Sequence, residues 1–191
     1  MSVINRVYVD DLIDTYFEMG CNALEQKQYA IAQKMFKAVF DEPSSKIQKE
    51  RLMLPLLIKS AEAHEGLKQL YKAKLLYIRA LAQRKKLMLA DDMQAVEILL
   101  RLAHLTARQG LYKQALDFAM EGFEIYCRCR DKDAIEFVKA LRPVENIMML
   151  KGRAVEREKL LNVLQSVKSE ALQSIPNING FVPSLPVAVS M

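Results

Sequence analysis

Leu99–Ala119, LLRLAHLTARQGLYKQALDFA, reads as two short helices around one turn. Val96, Leu99, Leu100, Ala103 and Ala107 recur at helical spacing before Gly110. Tyr112, Ala115, Ala119, Gly122 and Ile125 recur after it. The same pattern stands twice upstream. Ala115 is matched by Ala73 and Ala32, at steps of 42 and 41 residues. Ala103 is matched by Ala61 and Gly20, and Ala119 by Tyr77 and Phe36. Self-similarity at one period marks a stacked repeat protein, because a lone helical hairpin cannot bury its apolar stripe. Small residues at Gly20, Ala61 and Ala103 let two helix axes approach closely.

Working outward, the first hairpin spans about residues 11–40. Leu12, Tyr16, Met19 and Ala23 form its inner stripe, Gln26–Gln28 its turn, and Tyr29, Ala32, Phe36 and Phe40 its return. Asp41–Ser45 breaks it, and Ser45 is placed to cap the next helix. The second hairpin pairs 46–64 with 70–87 around Gly66–Gln69. Pro55 is expected to kink its first helix or mark where regular helix begins. Asp91 or Asp92 is expected to cap the third hairpin. A fourth is blurred: Asp133 is a plausible cap, Gly152 follows Gly110 by 42 residues, and Leu160, Leu161 and Leu164 make a stripe. However, Arg157 stands where Ala115 sets a small residue, and Pro143 interrupts the first helix. Terminal repeats are often atypical because they close the stack with a polar face.

Composition agrees with an all-α body. Apolar residues make up 51% and charged residues 27%, with six glycines, six prolines and no tryptophan among 191 residues. The net charge of +5 reads first as a solvated surface and also suits an acidic partner. Arg84, Lys85 and Lys86 fall at a helix C-terminus, where cations complement the helix dipole. No apolar leader and no run approaching about 20 apolar residues is present. Together with three cysteines (Cys21, Cys127 and Cys129), this gives the expectation of a reduced, cytoplasmic protein with free thiols and no membrane role.

The pattern resembles the tetratricopeptide repeat family. The best matches are Leu99–Leu102–Ala103 with Gly110–Ala115, Leu57–Ala61 with Ala73–Tyr77–Ala80, and Tyr16–Gly20 with Tyr29–Ala32–Phe36, closed by Pro43. The usual period is about 34 residues. The 41–42 spacing here is similar to the lengthened kinesin-light-chain style. The resemblance covers about residues 11–170. It implies antiparallel helical hairpins stacked as a short right-handed solenoid, with three clear repeats and a degenerate fourth as cap. Residues 1–10 are then a lead-in and 171–191 a Pro-containing apolar tail.

The resemblance also implies a concave groove lined by the first helix of each hairpin. Its positions map to Phe17, Glu18, Cys21 and Glu25, then Ile58, Lys59, Glu62 and Glu65, then Leu100, Arg101, His104 and Arg108. That groove is expected to be acidic at one end and basic at the other. Arg101 and Arg108 are placed to hold a carboxylate. The family's carboxylate clamp for chaperone tails needs paired Lys and Asn residues. Here Asn22 stands alone and 46–66 holds no asparagine, so chaperone tails are not expected as ligands.

Nothing in the chain has the spacing of a catalytic constellation. It holds no glycine-rich phosphate loop, GxSxG or HExxH. His64 and His104 lack partners at metal-ligand spacing. Cys127-Arg128-Cys129 is a weak soft-metal or redox signal. Ten methionines read mainly as core filler. Arg128, Arg130, Lys132, Lys151, Arg153, Arg157 and Lys159 gather cations around the fourth hairpin. Glu156 and Glu158 interleave them and no aromatic platform accompanies them, which weighs against nucleic acid. The sequence therefore predicts a non-catalytic adaptor without cofactor or metal, binding a protein or peptide, with a self-assembling homo-oligomeric scaffold as the alternative. The apolar tail from Ser174 onward is expected to dock on the last hairpin or in a groove, its own or a neighbour's.

Overall fold

The computed structural model describes residues 3–41, 46–87, 92–129, 133–152 and 154–174. Among the described residues eight helices follow one another: α1 (Val3–Glu25), α2 (Tyr29–Asp41), α3 (Lys46–Gly66), α4 (Leu70–Lys86), α5 (Met93–Arg108), α6 (Tyr112–Arg128), α7 (Ala134–Lys151) and α8 (Ala154–Ser174). No strand occurs among the described residues. Consecutive helices pair as four antiparallel hairpins, and each hairpin packs on the next in chain order. The chain is thus an all-α helical-repeat array.

One turn geometry closes the first three hairpins. Lys27, Lys68 and Gly110 have φ of 58°, 59° and 80°. The N–H of Gln28 donates to the Ala23 carbonyl at 2.8 Å, that of Gln69 to His64 at 2.9 Å, and that of Leu111 to Thr106 at 3.0 Å. The N–H groups of Lys27, Lys68 and Gly110 each donate three residues back. These are Schellman closures, which satisfy the last helical carbonyls through one left-handed residue. Glycine is at ease there; lysine is not. Lys68→Gly is therefore expected to stabilise the chain by about 0.5–1 kcal/mol. Urea unfolding checks it.

The repeated small residues sit where close packing needs them. Ala32, Ala73, Ala115, Ala61 and Ala103 are fully buried, as are Tyr77 and Ala119. A β-carbon on Gly20 would stand 2.4 Å from the Phe36 ring, so that ring occupies the space a side chain would take.

The core is three buried clusters in a row. Ile13, Ala23, Ala32 and Phe36 of the first hairpin join Leu52, Leu56 and Ala63 of α3. Leu57, Ile58 and Ala61 of α3 join Tyr77 and Ala80 of α4 and Ile98, Leu102 and Leu105 of α5. Ala95, Leu99, Leu100 and Ala103 of α5 join α6, α7 and α8. Helices α3 and α5 therefore bury two faces each. This is how a hairpin whose own stripe is incomplete becomes stable in a stack.

Several sequence expectations are corrected. Helix α1 begins at Val3, so the 1–10 lead-in is continuous with the first hairpin from there. Pro55 does not mark the start of regular helix, since α3 begins at Lys46, and Pro143 lies inside α7 without ending it. Buried residues on both sides of each, Leu52 and Leu56 or Leu141 and Val144, anchor the helix across the missing N–H. Asp92 is the α5 cap, accepting from the Ala95 N–H at 2.9 Å, and Asp133 caps α7 through the Glu136 N–H at 2.9 Å. Gly152 is extended, with φ −73° and ψ 157°, so the fourth hairpin does not repeat the Gly110 turn. Its α7 packs chiefly on α5 and its α8 on α7 and α6. Leu160, Val163, Leu164 and Val167 are its buried stripe, whereas Leu161 faces outward. Half-buried Arg157 reaches the Met149 carbonyl at 3.4 Å. The proposed Ser45 cap, Pro43 and the tail beyond Ser174 lie outside the described residues.

Arg84 is the main departure. Rather than a solvated helix-end cation, it is 2% exposed. Its guanidinium donates to Gln94 Oε1 and Asp92 Oδ2. It thereby ties the end of α4 to the residue that caps α5, and so one hairpin to the next.

Candidate functional site

The first helices α1, α3 and α5 lie side by side and leave a trough of about 500 Å³. Of the mapped groove positions, Cys21, Glu25, Lys59, Glu62, Glu65, Arg101 and Arg108 line it, joined by Leu24, Tyr29 and Gly66. Tyr29 and Gly66 were not expected there. A β-carbon on Gly66 would meet the Tyr29 ring at 2.3 Å, so the glycine lets α2 and α3 converge at that point. Spacing within one helix carries no sign of such a contact between hairpins.

Five mapped positions do not line the trough. Ile58 and Leu100 point into the core, the latter 1% exposed. Phe17 is half-buried and leans on Phe36, with ring centroids 6.0 Å apart. Glu18 is exposed on α1. His104 stands just behind the wall, with Nδ1 3.6 Å from Glu65 Oε1.

Charge is distributed differently from the simple acidic-to-basic gradient. Arg101 bonds Glu97 Oε1 through Nε and Nη2, both at 3.1 Å. It also reaches back across the hairpin boundary to Glu62 at 3.9 Å and Glu65 at 3.7 Å. Lys59 pairs with Glu62 at 3.1 Å, and the Tyr77 hydroxyl donates to Glu65 at 3.4 Å. Arg101 is therefore a latch between α3 and α5 whose charge is already answered within the chain. Glu25 and Arg108 form no ion pair among the described residues and mark opposite ends of the trough, on α1 and α5.

This network shifts its members. Burial pushes the Glu65 carboxyl up, but its bond to His104 and the Arg101 and Arg108 guanidiniums outweigh that and hold it below its ordinary value. Burial pushes the Tyr77 phenol far above its usual range, so it stays a donor. Burial opposes the Arg101 charge, and Tyr77 with Glu62, Glu97 and Glu65 more than restores it. For Glu65, a lowered folded pKa means a stabilising contribution present above the ordinary value of 4.5. It is lost as pH falls through the folded value. Wild type is thus expected to lose melting temperature below about pH 4.5 more steeply than Glu65→Gln. Thermal melts from pH 6 to pH 3 check it.

The trough offers charge and shape rather than reactivity. Burial raises the Cys21 thiol, Lys59 only partly opposing it, and Glu62, Glu25 and Glu18 raise it further. The thiol is thus held protonated and is a poor nucleophile. Cys127 is exposed while Cys129 is buried, so the two do not converge on one ligand. Among the described residues no group of three His, Cys, Asp or Glu side chains is placed to hold a metal ion. No helix there is long and apolar enough to cross a membrane. Of the cations around the fourth hairpin, Lys151 and Lys159 are exposed and Arg157 is half-buried. Arg130, Lys132 and Arg153 lie outside the described residues. No family model matches this chain, and no curated protein matches it.

Proposed function

We propose that the chain is a non-catalytic interaction module of the tetratricopeptide kind, holding a peptide or helix of a partner protein in the α1/α3/α5 trough. The observation that supports this most is the trough itself: three successive repeats contribute equivalent faces to one continuous opening. The Arg101 latch pre-organises it, which lowers the ordering cost of binding. Glu25 at one end and Arg108 at the other suit a segment with a cation and an acid spaced along it, the acid on the Arg108 side. A reduced, cytoplasmic setting suits a chain with a protonated thiol in its binding surface.

Arg108→Glu is expected to weaken partner binding at least tenfold while leaving the melting temperature within about 1 °C, since exposed charges contribute little to stability. A protein retained by the wild-type chain from an extract should be lost with this variant and kept with Lys72→Glu on the outer face of α4. Equal retention by both variants removes Arg108 from the site.

One observation favours a second reading, that of a self-assembling scaffold. Leu12, Met19 and Ile31 on the first hairpin are 40%, 49% and 50% exposed. Leu12 and Met19 share one face of α1, seven residues apart. Light scattering across a hundredfold concentration range tests it: a mass that climbs with concentration supports end-to-end stacking, and a constant monomer mass rejects it.

A further inference from the structure

Arg108 lines two openings. One is the α1/α3/α5 trough, and the other, of about 580 Å³, lies between the Gly110 turn and the end of α7. Tyr112, Ile147, Leu150 and Lys151 also line the second, with Ala107 and Gln109, and no acidic side chain does. Its apolar surface is open to solvent. Leu150 is 84% exposed, the highest value for a large hydrophobic side chain among the described residues, and Tyr112 and Ile147 are half-buried. Arg108 and Lys151 are exposed, and neither forms an ion pair among the described residues.

The C-terminal ends of α5 and α7 both meet this opening, and a helix end of this kind carries about half a negative charge. The two cations exceed that. The last carbonyls of α5 already accept from the N–H groups of Gln109, Gly110 and Leu111, and Arg108 and Lys151 bring one whole positive charge each. An acid placed there meets a net positive field, and a cationic group is repelled. An apolar side chain placed there covers Leu150, Ile147 and the Tyr112 ring and removes their surface from water. The two features stand side by side, so together they select a ligand whose acid and bulky apolar group are close in sequence.

We propose that this opening is a specificity subsite that takes a bulky apolar residue of the partner peptide, with the acid beside it held by Arg108 and Lys151. The subsite rests on the reading of the α1/α3/α5 trough as the binding face and adds a requirement to it. Spacing follows from the helix array. Neighbouring axes lie about 8–10 Å apart, and an extended chain advances about 3.3 Å per residue. The acid at Arg108 therefore stands about five or six residues from the group that meets Glu25 on α1. The apolar residue follows about two or three residues further on, toward α7. The fourth hairpin, whose turn departs from the repeat, thus reads one end of the ligand as well as closing the stack.

Peptide selection on the full chain tests it, with a phage-displayed library of random peptides as the probe. Retained peptides should carry Asp or Glu with Leu, Ile, Phe or Met about two or three residues away. The peptide enriched most is then made with an amidated C-terminus and titrated by fluorescence polarisation. Leu150→Asp should weaken its binding about tenfold, as loss of an apolar anchor does. Ile135→Asp, at a position 64% exposed at the start of α7, should leave binding unchanged. Both positions are exposed, so the two variants should melt within about 1 °C of wild type. Peptides that are lost with Arg108→Glu but bind Leu150→Asp as tightly as wild type overturn the subsite and leave the trough reading intact, as does equal weakening by Ile135→Asp. Peptides that survive Arg108→Glu, or a selection that enriches no sequence, overturn both.

Discussion

Arg84→Ala should lower stability by about 2–4 kcal/mol, a fall of roughly 6–12 °C in melting temperature for a chain of this length. The Arg84 side chain is 2% exposed and shares its guanidinium between Gln94 and Asp92. Asp92 is 42% exposed, which places the effect below that of a wholly buried pair. The same aspartate caps α5, so the pairing orders a helix start as well as a hairpin boundary. Asp92→Asn separates the two roles. Asparagine still caps a helix, but it takes the Asp92 charge away from a buried guanidinium, so the loss should stay above about 1 kcal/mol. Arg84→Met should be milder than Arg84→Ala, because it fills the space and removes the charge that needs an answer. Chemical denaturation of the three variants checks the order.

Tyr77→Ala should cost about 3–5 kcal/mol, the usual range for deleting a buried aromatic side chain. Tyr77 has no exposed surface and joins α4 to Leu57, Ile58 and Ala61 of α3 and to Ile98, Leu102 and Leu105 of α5. Its loss leaves a cavity at the junction of two repeats. Tyr77→Phe should cost below about 1 kcal/mol, since the bond to Glu65 is long at 3.4 Å. The equivalent position in the third repeat is Ala119, also fully buried. Ala119→Tyr should therefore destabilise by about 1–3 kcal/mol through overpacking, although tyrosine is the residue the second repeat places there. Thermal and urea unfolding of the three variants would show that repeat positions correspond in place but not in size.

Spacing within a helix was legible in the sequence; contact between helices was less so. Ala32, Ala73 and Ala115 revealed the period because each is a point where two axes must approach, and each is fully buried. Gly110 announced its turn, whereas Lys27 and Lys68 hide the same left-handed geometry behind a residue that resists it. Arg84 stands at the end of α4 as its position predicts, but its burial was not legible because its partners come from the next hairpin. Arg101 likewise reads as an open anion site until Glu62 and Glu65 are seen across the boundary. Ile58 and Leu100 were mapped to the groove from the family resemblance. Since α3 and α5 bury two faces each, little of either helix remains for the groove, and those two positions fall to the core.

Site-specific photo-crosslinking tests most directly whether one face of this molecule meets a partner. A photoreactive residue at Lys59, inside the trough, is compared with one at Lys72, on α4 outside it. The trough position should give a discrete crosslinked product that disappears when Arg108→Glu is added, with little product from position 72. Equal crosslinking from both positions, or a product from 59 that survives Arg108→Glu undiminished, would contradict a binding trough formed by α1, α3 and α5.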